Sequence, residues 1–114
     1  MLNYNIEFFQ GSYFGMRVTL QLKDGNTVTP VDLTSYAVRG QIRRTYQNEA
    51  YVNFDIEVLD AVNGLVRVSL PATVTADMKA GSYVYDIEVY DPLDTALVYK
   101  PLYGSVTVKA EVTR

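Results

Sequence analysis

The side chains that most often carry enzymatic chemistry are missing from this chain. Among its 114 residues there is no histidine and no cysteine. The usual general base, every imidazole-based triad, thiol nucleophiles, thiolate metal sites and disulfides are thereby excluded. Paired carboxylates are the remaining obvious device, as in glycoside hydrolysis. Asp55 with Glu57 and Asp86 with Glu88 have that spacing. Both pairs sit at alternate positions on what read as the outward faces of strands. Carboxylates on an open face stay hydrated and keep ordinary acidity, so they read as solubility groups. Asp91 with Asp94, and Asp24-Gly25-Asn26, offer a few oxygens to a cation, but neither fills a calcium loop pattern, and turn chemistry accounts for both. No phosphate-cradling glycine loop is present. The expectation is a protein that is not an enzyme and carries no cofactor or metal.

Charge points the same way. The net charge is -3, and the one cationic cluster, Arg39, Arg43 and Arg44, reads as a solvated strand face rather than a footprint for nucleic acid. No apolar run approaches a membrane span. Met1-Leu2-Asn3-Tyr4 lacks the basic start of a signal peptide.

Tyrosine is the over-used residue, with ten against four Phe and no Trp. By strand alternation they do not all fit inside. Exposed tyrosines suit interfaces, because each covers a large area at low entropic cost and keeps a polar tip. The candidate interface residues are Tyr4, Phe8, Tyr13, Tyr51, Tyr90 and Tyr103.

The elements that must carry these residues follow from period-two alternation of apolar side chains. Tyr13 to Leu22 places Phe14, Met16, Val18, Leu20 and Leu22 on one side. Asp24-Gly25 marks a hairpin, and a short strand around Thr27 to Thr29 pairs back. Val31 to Ser35 is a connector with Leu33 tucked under the core. Tyr36 to Arg44 turns Val38, Gly40 and Ile42 one way and Arg39, Gln41 and Arg43 the other, Gly40 implying a bulge or a close approach. Tyr51 to Leu59 and Leu65 to Leu70 form a hairpin around Asn63-Gly64. Ala72 to Gly81 holds at most one helical turn, capped by Thr75 or Asp77. Ser82 to Asp91 puts Tyr83, Tyr85, Ile87 and Val89 inward. A short strand at Ala96 to Lys100 and a last one from Tyr103 to Val112 complete the chain. Residues 1–10 form either an edge strand or an arm exchanged with a neighbouring chain.

About seven to nine short antiparallel strands predict an all-β, immunoglobulin-like sandwich of one domain over residues 1–114, with a closed β-barrel as the alternative. Tyr83 occupies the place of a tyrosine corner, early in a late strand, with its hydroxyl bonding back to the preceding backbone.

Four stretches together resemble a known group: Gln10-Gly11 before the first long strand; Val31-Asp32-Leu33-Thr34-Ser35-Tyr36 leading to Arg39, Gln41, Ile42 and Arg43; Ala80-Gly81-Ser82-Tyr83-Val84-Tyr85-Asp86-Ile87-Glu88; and Tyr103-Gly104-Ser105-Val106-Thr107-Val108 with Glu111-Val112-Thr113-Arg114. The chain is similar to small immunoglobulin-like proteins and domains of tailed bacteriophages, such as the N-terminal domain of baseplate upper proteins. That resemblance implies a structural role in the tail, baseplate or neck. It implies a protein made in the cytoplasm of a bacterial host and carried in the virion. Its partners would be other virion proteins and itself, with neither nucleic acid nor membrane involved. It brings no catalytic residues. A carbohydrate-binding or adhesion module using surface tyrosines is the alternative function.

Overall fold

The computed structural model describes residues 2–113, so the outermost residue at each end of the expected domain lies outside the description, as do the side chains of Leu2, Lys23, Asp24 and Thr95. The strands are β1 (Leu2–Asn3), β2 (Ile6–Phe9), β3 (Phe14–Thr19), β4 (Gln21–Asp24), β5 (Thr27–Pro30), β6 (Ala37–Arg43), β7 (Val52–Asn53), β8 (Asp55–Asp60), β9 (Leu65–Leu70), β10 (Gly81–Asp91) and β11 (Asp94–Lys109). A single helical turn, α1 (Ala72–Thr75), separates β9 from β10.

These strands make two facing layers. The large sheet has the order β1-β11-β10-β6-β7, with β2 also on β11. The small sheet is β3-β9-β8, and β4 with β5 forms a separate hairpin. The alternation in the sequence explains the core between the layers. Val66, Val68 and Leu70 of β9 face Ile42, Tyr85, Ile87, Val89, Val106 and Val108 of the large sheet, and all are buried. The architecture is an all-β, immunoglobulin-like sandwich. It does not close into a barrel, because β3 and β8 each keep an unpaired edge among the described residues.

Eleven strands replace the expected seven to nine because the N-terminal stretch divides into β1 and β2 and two further stretches that read as continuous change layer. Tyr13 to Leu22 divides at Leu20. The buried Leu20 donates its N–H to Gly64 O (2.8 Å) and accepts from Val31 N–H (2.9 Å), which diverts the chain into the β4–β5 hairpin. Tyr51 to Leu59 divides at Phe54. Its N–H donates to Gly40 O (3.0 Å) on the large sheet while the chain passes on to β8. Beyond it a register shift between Val58 and Asp60 disturbs the alternation, and Val58, read as inward, is 45% exposed.

The reverse happens at Pro101. Ala96–Lys100 and the last strand join into one β11, because Lys100 and Pro101 together oppose Glu88 in a bulge. A bulge is where a sheet tolerates a residue with no N–H. That strand stops at Lys109, so Ala110 and Val112 are exposed rather than inward.

The turns also differ in detail. Gly25 (φ +61°) alone of its two-residue loop has positive φ, the sign pattern of a type II′ turn. The connection before β9 is a four-residue loop with only Gly64 at positive φ (+71°), not a two-residue Asn-Gly turn. Neither expected cap serves α1. It begins after Pro71 without a side-chain cap, and the buried Thr75 instead donates its hydroxyl to Ser12 O (2.8 Å). Gly40 marks a close approach, since an added Cβ there would run into Ile87 and Phe54.

Residues 2–9 lie along β11 of the same chain, and they pair with it in parallel, unlike the rest of the sheet. Between β1 and β2 the backbone crosses directly over Gly104. The Tyr85 hydroxyl reaches out of the core to Tyr4 O (2.5 Å) and holds this crossing. Burial, with nearby Tyr4 adding to it, pushes the Tyr85 hydroxyl up to about 12, so it remains a donor at any physiological pH.

Candidate functional site

The outer face of the large sheet gathers a connected set of charged and aromatic side chains. Register explains which. Opposite Arg39, Gln41 and Arg43 of β6 stand Glu88, Asp86 and Val84 of β10, and opposite Asp86 on the far side stands Tyr103 of β11. Directly opposed residues point to the same face, so the outward set of three strands forms one surface.

A chain of charges runs across it. Arg39 Nε bonds Glu88 Oε1 (2.5 Å); Lys100 Nζ bonds Glu88 Oε2 (2.8 Å) and Asp86 Oδ2 (3.0 Å). The bulge at Lys100–Pro101 is what places Lys100 beside both acids. Arg39 also stacks over Tyr90, with its guanidinium carbon 4.3 Å from the ring centroid. At the other end Arg43 stacks over Tyr51 (5.0 Å), and its guanidinium donates to the carbonyl of Glu49 (3.1 Å) and to Gln41 Oε1 (3.0 Å). Such stacks contribute about 0.5–1 kcal/mol each at exposed sites. Their larger effect is to hold long side chains in fixed positions. Arg39, Arg43, Tyr46, Asp86, Glu88 and Lys100 line an open concavity of about 600 Å³ on this face.

Glu88 does not keep the ordinary acidity that its outward position suggested. Burial alone would raise Glu88, but hydrogen bonds from Lys100 and Arg39 outweigh it and hold the carboxyl below 4.5. Its hydrogen bond with Glu88, outweighing burial, holds Lys100 above 10.5, and Asp86 adds to this. A carboxyl depressed in the folded state stabilises the fold above its unfolded pKa, and that contribution is lost as pH falls through the folded value. Acid unfolding should therefore be steeper in the native protein than in Glu88→Gln. Urea midpoints of the two should converge between about pH 5 and 3. A constant gap across that window would show that Glu88 does not titrate as described.

The expected interface residues separate into groups. Tyr51, Tyr90 and Tyr103 share this outer face, with Tyr90 and Tyr51 toward its opposite ends. Tyr4, exposed, lies at the β1 edge of the same sheet. Tyr13, also exposed, lies apart, beside Gly15 next to the small sheet. Phe8 is a correction. It is 6% exposed and packs on Phe14 with ring centroids 5.3 Å apart, whereas its neighbour Phe9 is 52% exposed. Register on β11 decides this, since Phe8 aligns with the buried Val108. The Tyr83 hydroxyl donates to Lys79 O (2.6 Å), four residues upstream, the bond that makes a tyrosine corner, and Arg44 stacks on its ring (4.8 Å). The turn aspartates are engaged locally, Asp91 accepting from Leu93 N–H (2.8 Å) and Asp94 from Ala96 N–H (3.0 Å).

The sequence marks Arg39 and Arg43 as part of a solvated cationic cluster and Asp86 with Glu88 as a pair of solubility carboxylates, and it gives Lys100 no role. Alternation did place four of them outward, but only the pairing of β6, β10 and β11 brings them together. Among the described residues no helix is long and apolar enough to cross a membrane. No protein-family model matches the chain, and no match is found among curated proteins.

Proposed function

We propose that the chain is a non-enzymatic assembly protein of a tailed bacteriophage or prophage particle, acting in the tail, baseplate or neck through contacts with other virion proteins and with copies of itself. The observation that carries this reading is the outer face of the large sheet. There arginines lie stacked on tyrosines, and both residue types are enriched where proteins bind one another. The two acids on that face are held by cations, and Glu88 is shifted downward. A general acid needs its carboxyl raised, so the face is suited to recognition rather than proton transfer. The resemblance of four segments to phage immunoglobulin-like domains supplies the virion context. The polar concavity of about 600 Å³ favours one second reading, a carbohydrate-binding module, with Tyr46 in its lining and with Tyr51 and Tyr90 stacked on the lining residues Arg43 and Arg39.

Particles from the host that encodes the chain provide the test. The chain is expected to band with tail-bearing particles in a density gradient and to be detected on them by immunogold labelling. Its absence from particles, together with glycan binding that disappears in Tyr51→Ala and Tyr90→Ala, would replace the first reading by the second.

A further inference from the structure

The two edges of the small sheet differ in a way that makes them complementary. On its outer face Arg17, Arg67 and Glu57 form one row across β3, β9 and β8. Arg67 takes Glu57 as its partner (2.8 Å). Arg17, directly opposite Arg67, has no ion pair among the described residues. Like charges in that position repel. At the other edge β8 carries Asp55 and Glu57 outward, and the Glu57 side chain remains 61% exposed. One edge thus ends in an uncompensated cation, the other in carboxylates.

The inner face is equally unfinished at both edges. Val66, Val68 and Leu70 of the central β9 are fully buried. Phe14, Met16 and Val18 on β3 are only half-buried, as is Ile56 on β8, and Val58 is more exposed still. Native sheets usually blunt such edges with bulges, prolines or many charges. The six residues of β3 pair in unbroken register with β9 and contain neither bulge nor proline.

We propose that copies of this chain associate edge to edge, β8 of one beside β3 of the next, so that the small sheet runs on from copy to copy. The occupant is a second copy because both halves of the match lie on the same chain. Since β3 and β8 are each antiparallel to β9, they run in the same direction. A sideways step therefore makes a parallel pair, the kind β2 already makes with β11. The step brings Arg17 into line with Glu57 of the next copy, with Asp55 on the diagonal. It covers Met16 and Val18 with Ile56 and Val58. The irregularity between Val58 and Asp60 limits the pairing to Asp55–Val58. A head-to-tail contact of this kind builds a ring or a filament rather than a closed dimer. The inference deepens the assembly reading and rests on it.

Charge exchange tests it. Sedimentation velocity of the native chain should show concentration-dependent species larger than a monomer. R17E and E57R should each weaken association at least about tenfold, because each sets like charges against one another across the contact. An equimolar mixture of the two should regain it, since each copy then meets only opposite charges in its neighbours. Should E57R fail to fold beside Arg67, the exchanged pair E57R/R67E takes its place, because it keeps an ion pair between positions 57 and 67 while still turning the β8 edge cationic. A native chain that stays monomeric overturns the proposal. So do single variants that associate normally, or a mixture no larger than its parts. A chain that bands with particles yet fails the charge exchange removes this contact and leaves the assembly role standing. Successful exchange with no chain in particles does the reverse.

Discussion

Phe54→Ala should cost about 3–5 kcal/mol, the usual range for removing a buried phenylalanine ring. A domain of this kind has only about 5–15 kcal/mol in all, so the variant should be marginal at best. The expectation is specific to the position. Phe54 stands where the chain leaves the large sheet for the small one, and it is 6% exposed. Its ring meets Tyr85 edge-on at 5.8 Å and Phe14 at 6.5 Å. An alanine leaves a void between the layers that neither can close, because Gly40 beneath it offers no side chain. Phe54→Leu keeps most of the volume and should retain most of the stability. Guanidinium unfolding of the two variants checks this, and a loss below about 1 kcal/mol for the alanine would mean that the layers collapse around the gap.

Gly104→Val is expected to detach the N-terminal strands while sparing the rest of the sandwich. An added Cβ at Gly104 meets the carbonyl of Tyr4, and its carbon lies 2.8 Å away. The neighbour is backbone, so no rotamer change relieves the clash. The crossing must lift. Tyr4 N–H then loses Tyr103 O (2.9 Å), and the Tyr85 hydroxyl loses its acceptor. Overpacking of about 1–3 kcal/mol is joined by a buried hydroxyl without a partner, about 1–3 kcal/mol more. Hydrogen exchange should show the Tyr4 amide losing protection while amides of β9 keep theirs. Gly25→Ala is the control. Nothing lies within 4 Å of its added Cβ, so only the positive φ is penalised, by about 1 kcal/mol. Equal effects at the two glycines would show that the crossing at residue 104 is not tight.

The sandwich was legible because burial has period two and little else competes with it. The inward sets of β6, β9 and β10 follow from alternation alone, and so does Gly40 as a place where side chains press against bare backbone. What stayed hidden depends on partners distant in sequence. Nothing local at Leu20 or Phe54 announces that the chain changes layer there. The bulge that carries β11 through Pro101 exists only relative to Glu88, and the choice between Phe8 and Phe9 only relative to β11. The outer face was hidden for the same reason. Arg39, Glu88 and Lys100 lie far apart in the sequence, and each alone looks like an ordinary surface charge.

The parallel seam of β2 on β11 also bears on how the protein is made. Ile6 aligns with Val106, so 100 residues separate the two sides of that seam. A ribosome adds roughly 5–20 residues each second. Ile6 and Phe8 must therefore wait several seconds, as bare apolar groups, for the strand that will shelter them. During that interval they stay open to chaperones, to proteases and to a neighbouring nascent copy.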